Sequence, residues 1–191
     1  MKKVILIVLD GYGESKNQEG NPINLVNPPN INYVKENYPY TTLDASGLAV
    51  GLPENEVGNS EVGHINIGAG SIVLQDLPRI NQAIDDLSFF DNISLKKTIE
   101  HIRTTNGNIH LLGLVGRGNV HSSLSHLYAL IEFYKKNNFE KVYLHLFTDG
   151  RDSPPKSGID SIKKVEEKIK SIGVGKIASI MGRYFAMDRD N

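Results

Sequence analysis

The sequence KVYLHLF at residues 141–147 is a run of mostly apolar and aromatic side chains, and it leads directly into the polar loop TDGRDSPPKSG at 148–158. Continuous runs of this kind are typical of strands that lie in a parallel sheet with helices on both faces. Comparable runs occupy residues 3–9, 108–115 and 176–181. The sequence therefore predicts four buried strands, each ended by turn-forming residues.

Helical patterns alternate with the last three of these runs. Residues 94–105, 122–137 and 157–172 place apolar side chains at spacings of three and four, which predicts one buried stripe on each helix. The third helix is expected to begin at a capping box made by Ser157 and Asp160, and to end at glycine. The resulting order of alternating helices and strands indicates the α/β class.

The amino-terminal part of the chain has a different composition. Residues 11–90 are rich in Gly, Asn and Pro, with short helices expected at 31–37, 61–67 and 77–85. Residues 3–9 are the one strand predicted there, and a single strand needs neighbours on its edges. We therefore expect residues 1–75 to be poorly buried, as part of a domain whose other strands lie elsewhere.

Composition excludes several classes of protein. The 191 residues carry 21 Lys and Arg against 22 Asp and Glu, and this balance argues against a broad cationic surface for nucleic acid. There is no Cys, which excludes disulfides, thiolate catalysis and cysteine zinc sites. No apolar run approaches the roughly 20 residues that cross a bilayer. We expect a cytoplasmic protein with no nucleic-acid and no membrane partner.

Two polar residues in the first 75 are candidates for chemistry. Asp10 follows the predicted strand 3–9, at the end of the strand where α/β sheets bind ligands. The alternative is that Asp10 caps a turn or a helix. Ser60 precedes a helical stretch, where it is either a helix N-cap or a metal-activated nucleophile toward phosphate.

Further polar residues follow the other three predicted strands. His121 comes after 108–115, Arg151 and Asp152 come after 141–147, and Arg183 and Arg189 come after 176–181. Arginine forms a bidentate fork for phosphate or carboxylate, and aspartate accepts a hydroxyl proton. Taken singly, each has an alternative as a surface ion pair or a solvated loop. Together they predict a ligand-binding cleft along one edge of the sheet.

Four motifs, at residues 8–13, 58–64, 149–158 and 182–191, resemble in the same order those of the cofactor-independent (2,3-bisphosphoglycerate-independent) phosphoglycerate mutases. The resemblance implies an isomerase of glycolysis and gluconeogenesis. Such an enzyme interconverts 3-phosphoglycerate and 2-phosphoglycerate through a phosphoserine intermediate, and it belongs to the alkaline phosphatase superfamily.

The resemblance also implies an organisation. Residues 1–75 would be the incomplete amino-terminal part of a phosphatase-like metal domain, with one segment of an alkaline-phosphatase-like sheet. Residues 76–191 would be part of the substrate-binding transferase domain, with a mostly parallel α/β sheet.

The resemblance assigns a role to each candidate residue. Two manganese ions serve the family, and this chain would ligate at most one of them, in part, through Asp10 and Ser60. Ser60 would also be the phosphorylated nucleophile, and Asp152 the acid or base that handles the glycerate hydroxyl. The residues that would hold the glycerate and its phosphate are His121, Arg151, Asp152, Arg183 and Arg189.

The sequence departs from the family in two respects. Arg117, Asn119 and Ser123 replace an Asp, a Gly and a His, so that a charge is reversed at Arg117, and Asn119 is expected to keep a left-handed turn. Family members are also far longer. We therefore expect the isolated chain to be inactive, with phosphoglycerate as its ligand and a complementary carboxy-terminal chain as a candidate partner. The alternatives are a non-catalytic module that binds phosphoglycerate or a partner, and a metal-dependent phosphatase.

Overall fold

The computed structural model describes residues 3–17 and 19–187. Close contacts divide the chain into two compact units, Met1–Gln75 and Asp76–Asn191.

The first unit contains short helices joined by long loops. Asn21 is the N-cap of the helix at Pro22–Val26, and Asn59 is the N-cap of the helix at Ser60–Ala69. In each case the side-chain oxygen accepts backbone N–H from the first turn of the helix. Only three apolar side chains, Val50, Leu52 and Val62, form a buried cluster in the described part of this unit. The helices are α1 (Pro22–Val26), α2 (Pro29–Asn37), a 3₁₀ turn (Gly47–Val50) and α3 (Ser60–Ala69).

Residues 3–9 do not form the predicted strand. They have no regular secondary structure, and their apolar side chains are exposed, from 42% for Val8 to 89% for Val4. A strand is stabilised by ladder hydrogen bonds to neighbours, and no strand forms anywhere in residues 3–17 and 19–75. The strand prediction is therefore wrong for this chain, whereas the expected poor burial of the amino-terminal part is confirmed.

The second unit is an α/β domain around a three-stranded parallel sheet of order β1-β2-β3. The three predicted strands and the three predicted helices between residues 94 and 181 are confirmed to within two residues, and so is the α/β class. The elements are α4 (Asp76–Asp85), a 3₁₀ turn (Ser88–Asp91), α5 (Ile93–Thr105), β1 (Ile109–Val115), α6 (Leu124–Lys136), β2 (Val142–Thr148), α7 (Gly158–Ile172), β3 (Lys176–Gly182) and α8 (Arg183–Ala186).

One face of this sheet carries the core. Leu144 and Leu146 of β2 are almost fully buried, and they pack in one cluster with Ile131 and Phe133 of α6 and Val165 of α7. Each such side chain contributes about 1.5–3 kcal/mol of transfer free energy. Helix α5 joins the same cluster through its own isoleucines.

The opposite face of the sheet is open among the described residues, so the predicted cover on both faces is wrong. Leu112 of β1 is 66% exposed, and Met181 of β3 is 45% exposed. Side chains alternate between the faces of a strand, and helices α5, α6 and α7 all contribute to the cluster on one face.

The start of α7 also differs from expectation. Ser157 occupies the N-cap position, but its hydroxyl donates to the Pro154 carbonyl at 2.7 Å instead of accepting a helix N–H. The predicted capping box with Asp160 therefore does not form. No helix within residues 3–17 and 19–187 combines the length and the apolar character needed to span a membrane.

Candidate substrate-binding site

The carboxyl ends of the three strands bring three polar segments to one edge of the sheet. The loop at 116–118 follows β1, the loop at 149–153 follows β2, and Arg183 follows β3 directly. Strands β1 and β2 pair in one unbroken parallel register from Ile109 opposite Val142 to Val115 opposite Thr148. The loops that follow therefore begin at the same height along the sheet.

Asp149 is the hydrogen-bonding centre of this edge. Its side chain is only 5% exposed. Its Oδ1 atom accepts the backbone N–H groups of Gly150, Arg151 and Asp152 at 2.8, 3.0 and 3.3 Å. The same oxygen accepts from Arg183 Nη1 at 3.0 Å. One carboxylate oxygen thus ties the loop after β2 to the residue after β3.

The surroundings of Asp149 favour its ionised form. Burial opposes ionisation, but the N–H groups of Arg151 and Gly150, the Arg183 guanidinium and the Ser153 hydroxyl outweigh it, so the pKa of Asp149 lies well below its ordinary value. The hydrogen bonds that Arg183 donates to Asp152 and, next in size, to Asp149 raise the pKa of Arg183 above its ordinary value, against a smaller opposing effect of desolvation. Both groups therefore carry their charges throughout the physiological pH range.

Arg183, Asp152 and His121 lie side by side. Arg183 Nη1 donates to Asp152 Oδ2 at 2.5 Å, and His121 Nε2 lies 3.7 Å from the same oxygen. That second distance is too long for a hydrogen bond but suits an ion pair when the imidazole is protonated. Exposure rises from 12% for Arg183 through 22% for Asp152 to 37% for His121. Arg183 is therefore the most buried of these three side chains, and His121 is the one most open to solvent.

Ser153 joins the loops that follow β1 and β2. Its side-chain oxygen, in a residue only 5% exposed, accepts the N–H groups of Arg117 at 2.8 Å and Gly118 at 3.2 Å. A Cβ atom on Gly118 would lie 2.5 Å from the Asp152 carbonyl oxygen, which shows how closely the two backbones approach.

The departures in the loop after β1 have structural consequences. The Arg117 guanidinium lies 3.7 Å from Asp160, and its side chain is 59% exposed. Asn119 is not among the residues with positive φ, so the expected left-handed turn there is wrong. The loop at 116–118 is held instead by the hydrogen bonds to Ser153 and by the close approach of the Gly118 and Asp152 backbones.

Of the residues predicted for this site, the structure brings together His121, Asp152 and Arg183. Arg151 contributes its backbone N–H to Asp149, and the residue is exposed. Arg189 lies outside the described residues. Sequence reasoning missed Asp149 and Ser153. The signal for Asp149 was its position ahead of Gly-Arg-Asp, since Asp commonly accepts N–H groups of the residues that follow it in a turn.

Ser60 is the first residue of α3 and is exposed, but it does not cap the helix. Asn59 is the N-cap, and its side chain accepts the Val62 N–H at 3.1 Å. His64 Nδ1 lies 2.8 Å from the Ser60 carbonyl oxygen and 3.2 Å from the Ser60 hydroxyl. Because a carbonyl only accepts, the shorter contact is a hydrogen bond in the tautomer with the proton on Nδ1, and in that tautomer Nδ1 does not accept a proton from Ser60.

Asp10 lies in a turn closed by the Tyr12 N–H donating to the Leu9 carbonyl at 3.1 Å, with Gly11 at a φ of 75°. Manganese prefers about six oxygen or nitrogen ligands, whereas Asp10 and Ser60 are two. Within residues 3–17 and 19–187, no three His, Asp or Glu side chains form a group that could hold a metal. The described residues therefore do not form a complete metal site.

A parallel sheet with arginine, aspartate and histidine gathered at its carboxyl edge defines an α/β domain with a candidate ligand-binding site at that edge. The family model described as "BPG-independent PGAM N-terminus" matches residues 80–191, more than half of the chain. The chain belongs to this family of 2,3-bisphosphoglycerate-independent phosphoglycerate mutases.

Individual relatives agree with this assignment. The 2,3-bisphosphoglycerate-independent phosphoglycerate mutases of Clostridium beijerinckii and Acetivibrio thermocellus are 52% and 51% identical over 190 residues, which is all of this chain and 37% of each relative. A crystal structure of Leishmania mexicana phosphoglycerate mutase at low cobalt concentration superposes with a TM-score of 0.65 at 30% identity, covering 84% of this chain and 31% of that one. The chain thus spans about 37% of the length of these curated relatives.

Proposed function

We propose that this chain provides the phosphoglycerate-binding cluster and the phosphoryl-accepting serine of a 2,3-bisphosphoglycerate-independent phosphoglycerate mutase. The enzyme would interconvert 3-phosphoglycerate and 2-phosphoglycerate in cytoplasmic glycolysis and gluconeogenesis. The observation that carries the proposal is the Asp149–Arg183–Asp152–His121 cluster at the carboxyl edge of the sheet. It stands in a chain whose family performs this conversion.

The cluster suits the functional groups of a phosphoglycerate. The ligand offers a phosphate, a carboxylate and a hydroxyl, and a guanidinium binds either anion through paired N–H groups. Arg183 directs Nη1 to both Asp149 and Asp152, and Arg151 is exposed at the same edge. Asp152 Oδ2, held in place by Arg183, is the proposed proton acceptor for the glycerate hydroxyl.

Ser60 is the proposed carrier of the phosphoryl group. As the bond from phosphorus to the 3-oxygen breaks and the bond to Ser60 Oγ forms, the 3-oxygen would take up one proton in place of the proton that the Ser60 hydroxyl loses. The phosphoryl group would then pass from Ser60 Oγ to the 2-oxygen, whose proton Asp152 would accept, and Ser60 Oγ would take up one proton to restore its hydroxyl. The release of Ser60 from capping, because Asn59 performs it, supports this role. A divalent cation, manganese in our proposal, would need ligands beyond Asp10 and Ser60.

A second candidate is a module that binds phosphoglycerate, or a complementary carboxy-terminal chain, without turnover. One observation favours it for the chain taken alone. The cluster around Arg183 is assembled, whereas the described residues form no complete metal site.

Calorimetric titration of the chain with 3-phosphoglycerate tests the proposal. Arg183→Ala should weaken binding at least tenfold, because it removes a charged donor to the ligand. Arg79→Ala is the matched control, since Arg79 is a surface residue paired with Asp76 one turn away on α4. Absence of binding by the unmodified chain at millimolar ligand would overturn the proposed function.

Turnover separates the two candidates. Formation of 2-phosphoglycerate is measured with manganese, with and without the carboxy-terminal remainder of the Clostridium beijerinckii relative. Product that disappears in Ser60→Ala supports the mutase. Binding without turnover in both mixtures supports the module.

A further inference from the structure

We propose that Asp149 and Ser153 are positioning residues that hold the substrate-binding groups of all three strand ends in register. The inference rests on the proposed function, because it concerns the same phosphoglycerate site. Neither residue is proposed to touch the ligand. Their role is to fix Arg183, the backbone of Arg151 and Asp152, and the loop at 116–118.

Asp149 behaves as an internal anion. Three successive backbone N–H groups, of Gly150, Arg151 and Asp152, converge on Oδ1, an arrangement that forms an anion-binding concavity elsewhere in proteins. Here a side chain of the same loop fills the concavity. A buried carboxylate with this many donors stays ionised and has one low-energy orientation. The direction of Arg151 and Asp152 along the loop follows from it.

The same oxygen fixes Arg183. Nη1 of Arg183 lies 3.0 Å from Asp149 and 2.5 Å from Asp152. With Asp149 removed, Asp152 alone would hold the guanidinium, and the pair could rotate together as a unit. With Asp149 present, the guanidinium has two fixed acceptors, and Asp152 is oriented in turn. Asp149 therefore sets the geometry of the groups proposed to contact the substrate.

Ser153 extends this control to the loop after β1. Its oxygen accepts from the N–H groups of Arg117 and Gly118. Backbone N–H groups only donate and carboxylates only accept, so the single serine proton is free to point to Asp149. The Ser153 hydroxyl accordingly contributes to lowering the pKa of Asp149, after the opposing burial and the stronger N–H and guanidinium donors. Ser153, which lies in the same loop as Asp149, thus holds the loop at 116–118 against the loop that follows β2.

His121 lies on the segment that this loop leads into, and its Nε2 lies 3.7 Å from Asp152. Two buried side chains therefore hold this edge together. Ser153 holds the loop before His121, and Asp149 holds the loop that carries Asp152 and the guanidinium of Arg183. The arrangement has a direct consequence: changes at Asp149 or Ser153 should alter binding although neither residue is exposed to ligand.

Asp149→Asn tests the first half of the inference. Asparagine keeps a side-chain oxygen for the N–H groups of the turn but removes the charge that holds Arg183. We expect about tenfold weaker binding of 3-phosphoglycerate by the folded variant, with a changed NMR signal of the Arg183 side chain. Asp160→Asn is the control, because it removes the same charge from an exposed residue near Arg117.

Ser153→Ala tests the second half. It should speed hydrogen exchange of the Arg117 and Gly118 amides and weaken binding, and Ser153→Thr, which keeps the hydroxyl, should restore both. Ser157→Ala is the control, since Ser157 is a buried serine of the same segment whose hydroxyl bonds locally to Pro154.

The outcomes separate the inference from the function on which it rests. If the unmodified chain does not bind 3-phosphoglycerate, the proposed function is overturned and this inference with it. If the unmodified chain binds, and folded Asp149→Asn and Ser153→Ala bind equally well with an unchanged Arg183 signal, the positioning role alone is overturned. Weaker binding with that spectral change, rescued by Ser153→Thr, supports it.

Discussion

Substitution of Gly118 by alanine should disrupt the substrate-binding edge without touching a charged group. The added Cβ would lie 2.5 Å from the Asp152 carbonyl oxygen and 3.1 Å from the Asp152 Cβ. Real Cβ contacts essentially never fall below 3.0 Å, and the obstructing atom is backbone. The loop at 116–118 must therefore move by at least about 0.5 Å.

The magnitude follows from what that movement affects. The bond from the Gly118 N–H to Ser153 is already 3.2 Å long, so a further displacement breaks it. Overpacking of this kind costs about 1–3 kcal/mol, and a lost hydrogen bond adds about 1 kcal/mol. We expect Gly118→Ala to lower the free energy of unfolding of the second unit by about 2–4 kcal/mol and to weaken 3-phosphoglycerate binding.

Hydrogen exchange of the β1 and β2 amides is the suitable assay, because it reports on the second unit separately from the first. Gly113→Ala is the matched control. Gly113 lies in β1, and beyond its chain neighbours no atom of the described residues comes within 4 Å of the position that an added methyl group would occupy. Alanine there should be neutral or slightly stabilising. Equal protection and equal binding in Gly118→Ala and the unmodified chain would refute the close packing of the two loops.

Three other perturbations have defined outcomes. Leu144→Ala should destabilise the second unit by about 2–5 kcal/mol, because Leu144 is fully buried. Leu112→Ala, on the open face of the sheet, should change stability little. Equal effects of the two substitutions on hydrogen exchange would contradict a core on one face of the sheet. The pKa of Asp149 is lowered on folding, so its stabilisation is present above the unfolded value near 4 and is lost as pH falls below it. The stability deficit of Asp149→Asn should therefore be largest at neutral pH and shrink in acid unfolding titrations. Asn59→Ala should cost about 1 kcal/mol by removing the α3 cap, while Ser60→Ala should leave helix stability nearly unchanged, as measured by exchange of the α3 amides.

The spacing of apolar residues along the chain was sufficient to predict most of the helices and strands of the second unit. The apolar run at 141–147 and the stripe of helix α7 identify their elements because a buried strand and a half-buried helix impose different spacings on neighbouring residues. The run at 3–9 shows where such reasoning fails. Its residues have strand character, but strand formation requires hydrogen-bonding partners, and none lie in the described part of that unit.

The candidate site divides in the same way. His121, Asp152 and Arg183 were predictable, because polar residues at the ends of parallel strands converge on one edge. The roles of Asp149 and Ser153 were not, since a hydrogen bond between residues 34 or 36 positions apart depends on how the loops pack. From residue 94 onward, the sequence by itself determines the elements, their order and the chemical groups delivered to the sheet edge, because these follow from neighbours along the chain. Only the tertiary structure decides which carboxylate is buried and which donors it receives, because burial and hydrogen-bond geometry arise when distant segments meet.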